Sequence, residues 1–302
     1  MSGYVRRPEW LKLNPLDPTV LGPMRRLTHD LQLHTVCESA HCPNRPDCFG
    51  RGTAAFIILG DICTRQCTFC GVKKGRPQNP DPQEPQHIVE AIDALNLNYV
   101  VVTSVTRDDL LDGGAAQFAR TVRAIHDNSC EIAVEILIPD FGGSRSTLET
   151  VVSAQPAVLN HNLETVPRLY PEVRPQAEYR RSLDVLSTGK LLDNNLLTKS
   201  GIMLGLGESQ QEVIELMTDL REAGCDVLTI GQYLPPSRKH RELVRYVSPQ
   251  EFMEYEDIGR DMGFASVFSG PLVRSSFHAA ESYLLTTQNC GSRYTYGISW
   301  LP

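Results

Sequence analysis

The chain has 302 residues, 41% of them apolar and 22% charged, which supplies a buried core and excludes intrinsic disorder as the main state. Its 29 basic and 36 acidic side chains leave a formal charge of -7, the wrong balance for a general nucleic-acid binder. No signal-peptide-like apolar run opens the sequence and no stretch reaches membrane-spanning length, so a cytoplasmic protein with no nucleic-acid and no membrane partner is expected.

Residues 1–52 are interrupted by Pro8, Pro15, Pro18, Pro23, Pro43 and Pro46, which leaves one short helical stretch, near Pro23–Leu33, on an irregular extension. From Ala54 the pattern changes to short β-branched runs: Ala54–Leu59, Tyr99–Val105, Ile132–Ile138, Ala157–Asn162, Gly201–Leu206 and Val227–Ile230. They are apolar enough for strands buried on both faces. Between them lie amphipathic helices such as Ile88–Leu95, with Ile88, Ile92 and Leu95 on one face, and Phe118–Ile125, with Phe118, Val122 and Ile125. Gln210–Ala223 ends at Gly224, a C-terminal stop. Strand and helix alternating in this way predict a parallel sheet with right-handed crossovers, open or curled into a partial barrel. A helix over Pro249–Met262, a short strand near Ser266–Phe268 and a tail to Pro302 complete the chain.

The chain has nine cysteines, six of them between Cys37 and Cys70, a crowding that in a reducing compartment points to metal. Cys63, Cys67 and Cys70 form a Cys-x3-Cys-x2-Cys array directly after the first predicted strand. Three thiolates on one tight loop can hold three corners of a four-iron cluster and leave the fourth iron open for chemistry. A zinc site on Cys67 and Cys70 would lack its second Cys-x2-Cys pair. Cys37, Cys42 and Cys48 make a second triplet, Cys-x4-Cys-x5-Cys, on the proline-rich extension, and soft thiolates again suit an iron–sulfur cluster. Cys130, Cys225 and Cys290 stand alone and read as ordinary thiols, and His34 and His41 read as solvated or hydrogen-bonded side chains in preference to fourth cluster ligands.

The Cys-x3-Cys-x2-Cys array at the end of a first strand resembles the signature of the radical S-adenosylmethionine (SAM) superfamily. The pairing of both triplets, the linker Arg51–Ile62, Val105–Leu110, Asp112–Ala115, Asn160–Pro167 and Gly270-Pro-Leu-Val-Arg-Ser-Ser-Phe277 narrow the resemblance to the lipoyl synthase family, from about Pro8 to Ala279. The resemblance implies a partial (β/α)6 TIM-type barrel over residues 53–264, an N-terminal extension, 1–52, with the auxiliary-cluster cysteines, and a C-terminal extension, 265–302, the two extensions closing the barrel mouth. It implies two 4Fe-4S clusters: one on Cys63, Cys67 and Cys70 that binds SAM through its open iron, and an auxiliary one on Cys37, Cys42, Cys48 and a serine oxygen, assigned to Ser276 with Ser275 as the alternative. Read alone, that serine would be a helix cap. Phe277 departs from the family's tyrosine, losing a hydroxyl and keeping the packing.

For SAM itself, the resemblance implies contacts from Gly113 and Gly114, which would otherwise read as a turn into a helix. It also implies contacts from Asn162 and Glu164 at the end of the fourth strand, from Arg180 (or its neighbour Arg181) to the carboxylate, and from Gly205 within Gly201–Glu208 on the adenine side. The implied activity is that of a sulfurtransferase, the final step of endogenous protein lipoylation. Two sulfur atoms enter at carbons six and eight of an octanoyl chain on a carrier lysine, with the auxiliary cluster as donor. Expected partners are octanoylated lipoyl domains of 2-oxoacid dehydrogenase E2 subunits, the glycine cleavage H protein, a ferredoxin or flavodoxin reductant and an iron–sulfur carrier for cluster repair. Arg45, Arg51, Arg65, Lys73, Lys74 and Arg76 would form a basic face for acidic partners. The alternatives are a methylthiotransferase-like enzyme, for which no RNA-binding domain is visible, a two-cluster electron carrier, and a zinc-stabilised binding module.

Overall fold

Runs of β-branched and aliphatic side chains become strands where a sheet can bury both their faces. The computed structural model describes residues 7–11, 18–39, 42, 44, 48 and 54–289. Ten strands are described: β1 (His34–Thr35), β2 (Ala55–Ile58), β3 (Ile62–Cys63), β4 (Lys73–Lys74), β5 (Tyr99–Ser104), β6 (Ala133–Leu137), β7 (Val158–Asn160), β8 (Leu197–Leu204), β9 (Val227–Gln232) and β10 (Ser266–Gly270). The main sheet runs β1-β2-β5-β6-β7-β8-β9-β10, while β3 and β4 pair separately. Every neighbour pair from β2 to β10 is parallel, and β1 lies antiparallel on β2.

Helices Glu84–Leu95, Ala115–Asn128, Arg145–Val152, Tyr179–Leu192, Gln210–Glu222 and Pro249–Asp261 return the chain between successive strands. Six β/α units therefore precede β10, and residues of β2, β5, β6, β8 and β9 line one cavity, as a sheet curled into a partial barrel requires. Ser209 and Ser248 close capping boxes with Glu212 and Glu251 and fix where two of these helices begin. Two aliphatic cores fill the space between sheet and helices, and a third, with Ala55, Val101, Val158 and Leu197, lies inside the curl. No helix among the described residues is long and apolar enough to cross a membrane.

Three boundaries differ from expectation. The first long helix spans Pro18–Asp30, not Pro23–Leu33, because proline is tolerated at the first helical position. β10 pairs with β9 along its whole length, so the sheet takes in residues 266–270 that a boundary at 264 leaves in the C-terminal extension. β8 begins at Leu197 instead of Gly201, since the polar Thr198 and Lys199 that hide its start are both buried.

Lys199 explains its own burial. Glu135 of β6 accepts hydrogen bonds from Tyr99 Oη of β5 (2.6 Å), Asn160 Nδ2 of β7 (2.7 Å) and Lys199 Nζ of β8 (3.0 Å). One carboxylate thus ties four consecutive strands from the inside. The helix Ala279–Asn289 covers the same end of the barrel: Tyr283 packs on Tyr99, ring centroids 5.5 Å apart, and Thr286 Oγ1 bonds Ser266 Oγ at 2.9 Å. The Lys199→Met variant leaves Glu135 short of its counter-charge, and we expect a loss of about 3 kcal/mol in urea unfolding. The double variant with Glu135→Gln should recover more than half of it.

Candidate functional site

The cysteine loop is held from below. Cys63 ends β3, which pairs with β4, and Gly75 N donates to Cys63 O (3.0 Å), so both ends of the loop are joined. Thr64 N reaches Thr106 O after β5 (3.1 Å), Thr68 N reaches Val173 O (3.0 Å), and Gln66 N reaches Gln176 Oε1 (2.7 Å). Arg65, between the first two cysteines, is 7% exposed and bonds Asp108 twice (2.9 and 2.9 Å) and Asp140 twice (2.9 and 2.7 Å). Burial opposes the charge on Arg65, but the hydrogen bonds it donates to Asp140 and Asp108 win and raise its pKa. Burial also works against the Asp140 carboxylate, yet the bond to Arg65 prevails and brings its pKa down to about 2.

Above this clamp opens a cavity of about 530 Å³, a usual size for a cofactor or substrate site. Cys42, Cys63, Cys67 and Cys70 border it, together with Asn162, Glu164, Arg174, His161 and Ser276. Burial pushes the Cys67 thiol up and the Cys70 thiol up to about 12, protons that metal ligation displaces.

Asn162 and Glu164 reach the cavity because the chain bulges after β7. His161 N bonds Lys199 O (3.0 Å), and the strand is rejoined only at Glu164, whose N bonds Gly201 O (2.9 Å) with φ 68°. Asn162 Nδ2 then donates to Glu164 Oε1 (3.1 Å), and burial raises the Glu164 pKa.

The other expected SAM contacts stand elsewhere. Gly113 and Gly114, with φ 58° and 95°, form the turn into the Ala115 helix and are not among the residues lining the cavity. A Cβ on Gly114 would lie 2.2 Å from Leu59 Cδ1, so close packing accounts for this glycine. Gly205 is likewise off the wall, with its N–H held by Glu208 Oε1 (2.6 Å), whereas Gly201 and Met203 of the same motif line it. Arg180 is exposed beside Tyr179, and Arg181 bridges to Asp140 (3.7 Å).

A cation that borders the cavity beside Asn162 and Glu164 is Arg174, which sequence reasoning passed over. It is buried, and Nη1 donates to Asn162 O (2.9 Å), Leu163 O (3.1 Å) and Tyr170 Oη (3.0 Å), while Nε has no partner. Two signals in the sequence bear on it: it lies ten residues after the Asn162–Glu164 motif, and prolines on both sides break any helix that would carry it to the surface.

The second triplet is described in part. Cys37 stands on the helix Val36–Ser39 with its side chain outside the described set, Cys42 borders the cavity, and Cys48 is buried in the first core. Asn44, between them, donates from Nδ2 to Leu272 O (2.6 Å) and so ties the extension to the Arg-Ser-Ser segment. Val273, Arg274, Ser275 and Ser276 all border the cavity. Phe277 packs on the first core and stacks on His278, 3.9 Å between centroids.

The expected basic face is described in part. Arg65 is consumed by its aspartates, Lys73 pairs with Asp61 (2.6 Å), and Lys74 Nζ is bound to Cys67 O (2.9 Å). Arg76 is exposed. His41, Arg45, Arg51 and Cys290 lie outside the described residues.

Residues 57–220 match the family model of the Radical SAM superfamily. A lipoyl synthase of Caldanaerobacter subterraneus is 55% identical over 275 residues, 91% of this chain and 96% of the relative. One of Aquifex aeolicus is 52% identical over 266 residues, 88% and 96% of the two chains. The chain belongs to the lipoyl synthase family of radical SAM enzymes. In fold, it is similar to the FeFe-hydrogenase maturase HydG from Carboxydothermus hydrogenoformans, with a TM-score of 0.58 at 12% identity, covering 93% of this chain and 76% of that one.

Lipoyl synthase membership brings 4Fe-4S and SAM chemistry to the chain, and the donor set at this cavity fits it. Three thiols of one loop border a cavity whose far wall carries a buried carboxyl, a buried guanidinium and an unpartnered imidazole nitrogen. Among the described residues no three His, Cys, Asp or Glu groups converge as around a single ion.

That imidazole is His161, also passed over by sequence reasoning. Its Nδ1 donates to Ile138 O (2.8 Å), which leaves Nε2 as a bare acceptor. Burial, reinforced by Arg174, brings its pKa down to about 4 from the usual 6.5. Between those two values the unfolded chain binds a proton that the folded chain refuses, so stability falls as pH is lowered across that window. Relative to His161→Gln, the parent protein should lose about 2 kcal/mol in urea unfolding between pH 7.5 and pH 5.

Proposed function

We propose that this lipoyl synthase inserts two sulfur atoms into an octanoyl chain carried on a lysine of a lipoyl domain or glycine cleavage H protein, as a cytoplasmic sulfurtransferase. The observation that supports this reading is that Cys42 and Ser276 border the same cavity as Cys63, Cys67 and Cys70. A sulfur source and a radical source serve one substrate only if they share a chamber.

When bound, SAM with the cluster on Cys63, Cys67 and Cys70 supplies hydrogen abstraction, and the auxiliary cluster on Cys37, Cys42, Cys48 and Ser276 supplies sulfur. The chain's own residues bind, orient and shield. Arg174 offers a buried positive charge for a carboxylate, Asn162 and Glu164 offer polar partners for hydroxyl and amino groups, and His161 offers an acceptor. Ala55, Ile57, Val101 and Leu137 give the chamber an apolar wall suited to an alkyl chain and able to exclude water from a radical. Seating by residues 1–52 and 265–302, reduction by a ferredoxin or flavodoxin, and cluster repair by an iron–sulfur carrier belong to the same reading. A two-cluster electron carrier has no use for this chamber.

The test is anaerobic reconstitution followed by incubation with SAM, a reductant and an octanoyl-lysine peptide. Mass spectrometry should find two sulfurs gained, with two hydrogens lost in the oxidised ring form. We expect Cys63→Ser to abolish SAM cleavage, and Cys42→Ser to retain cleavage while yielding no sulfur product. SAM cleavage by the parent protein with an unchanged peptide would sink the substrate assignment.

A further inference from the structure

Residues 272–276 form a strap with two attachments. At one end, Leu272 O is held by Asn44 between the cysteines of the extension, and Arg274 and Cys42 border the same cavity. At the other, Ser275 Oγ donates to Asn162 Oδ1 (2.9 Å), whose amide donates in turn to Glu164. The contact joins residues 113 apart in sequence.

The barrel wall is cut to admit it. Gly201 on β8 and Gly231 on β9 are inward-facing: a Cβ on Gly201 would lie 2.7 Å from Ser275 Oγ and 2.9 Å from Asn162 Oδ1, and one on Gly231 would lie 2.1 Å from Val273 O. Neither glycine has a positive φ, so room for the strap, not backbone conformation, is what the missing side chain provides.

We propose that Ser275 is a positioning residue that couples the auxiliary-cluster segment to the SAM pocket: seating of the strap orients Asn162 and Glu164, and SAM is held more tightly when the strap is seated. This rests on the reading of Ser276 and of the cavity given above. Coupling of this kind is reciprocal, so bound SAM also favours the seated strap.

The experiment measures SAM affinity by equilibrium dialysis on full-length, anaerobically reconstituted protein, with iron and sulfide counted in parallel. Ser275→Ala should keep the parent's iron and weaken SAM binding about fivefold, the effect of one lost hydrogen bond. Ser275→Thr, which retains a hydroxyl, should restore it. Cys42→Ala, lacking the auxiliary cluster, should weaken SAM binding to a similar degree, and the double variant no further than either single one, since both act through one contact. Unchanged affinity in Ser275→Ala, or effects that multiply in the double variant, overturns the coupling. Loss of iron in Ser275→Ala makes Ser275 itself a ligand and overturns both the coupling and the Ser276 assignment, whereas parent protein that binds no SAM overturns the underlying reading.

Discussion

Arg65 held between Asp108 and Asp140 is the contact on which the site depends. A loop that presents three thiols cannot also bury them in a regular element, so its position must come from elsewhere. The guanidinium fork supplies it: two bonds to a carboxylate after β5 and two to one after β6 fix the loop against the ends of two neighbouring strands. Paired charges at this depth offset each other's desolvation, and removing one would leave the other stranded. The array between the cysteines is therefore part of the scaffold as well as part of the loop.

The barrel below is organised by a second buried charge. Glu135 collects its donors from β5, β7 and β8, so the register of four strands is specified by polar groups inside an otherwise apolar lumen. The two networks divide the work. The lower one joins the strands, and the upper one places the reactive loop, with the chamber between them.

Local patterns were legible in the sequence. The alternation of strand and helix depends on neighbours along the chain and appears in the structure, and Cys63, Cys67 and Cys70 stand on one loop after β2. What escaped depends on partners far away. The start of β8 was hidden because Thr198 and Lys199 look like loop residues until Glu135 is opposite. Arg174 was overlooked in favour of Arg180 because adjacency to a helix says nothing of which arginine the bulge at 161–163 turns inward. Gly113 and Gly114 suggested ligand contact, yet the space that Gly114 must leave free is filled by Leu59. His161 had no signal at all: its unpartnered nitrogen follows from a hydrogen bond to Ile138 that no local pattern shows.

The filled lower end of the barrel sets the traffic of the molecule. Among the described residues, Tyr99, Glu135, Lys199 and Tyr283 occupy the floor, while the cysteine loop and the strap border the chamber at its other end. On the proposed reading, an acyl chain reaching the chamber passes the very segments that hold the thiols, so its entry is felt by the loop and the strap alike.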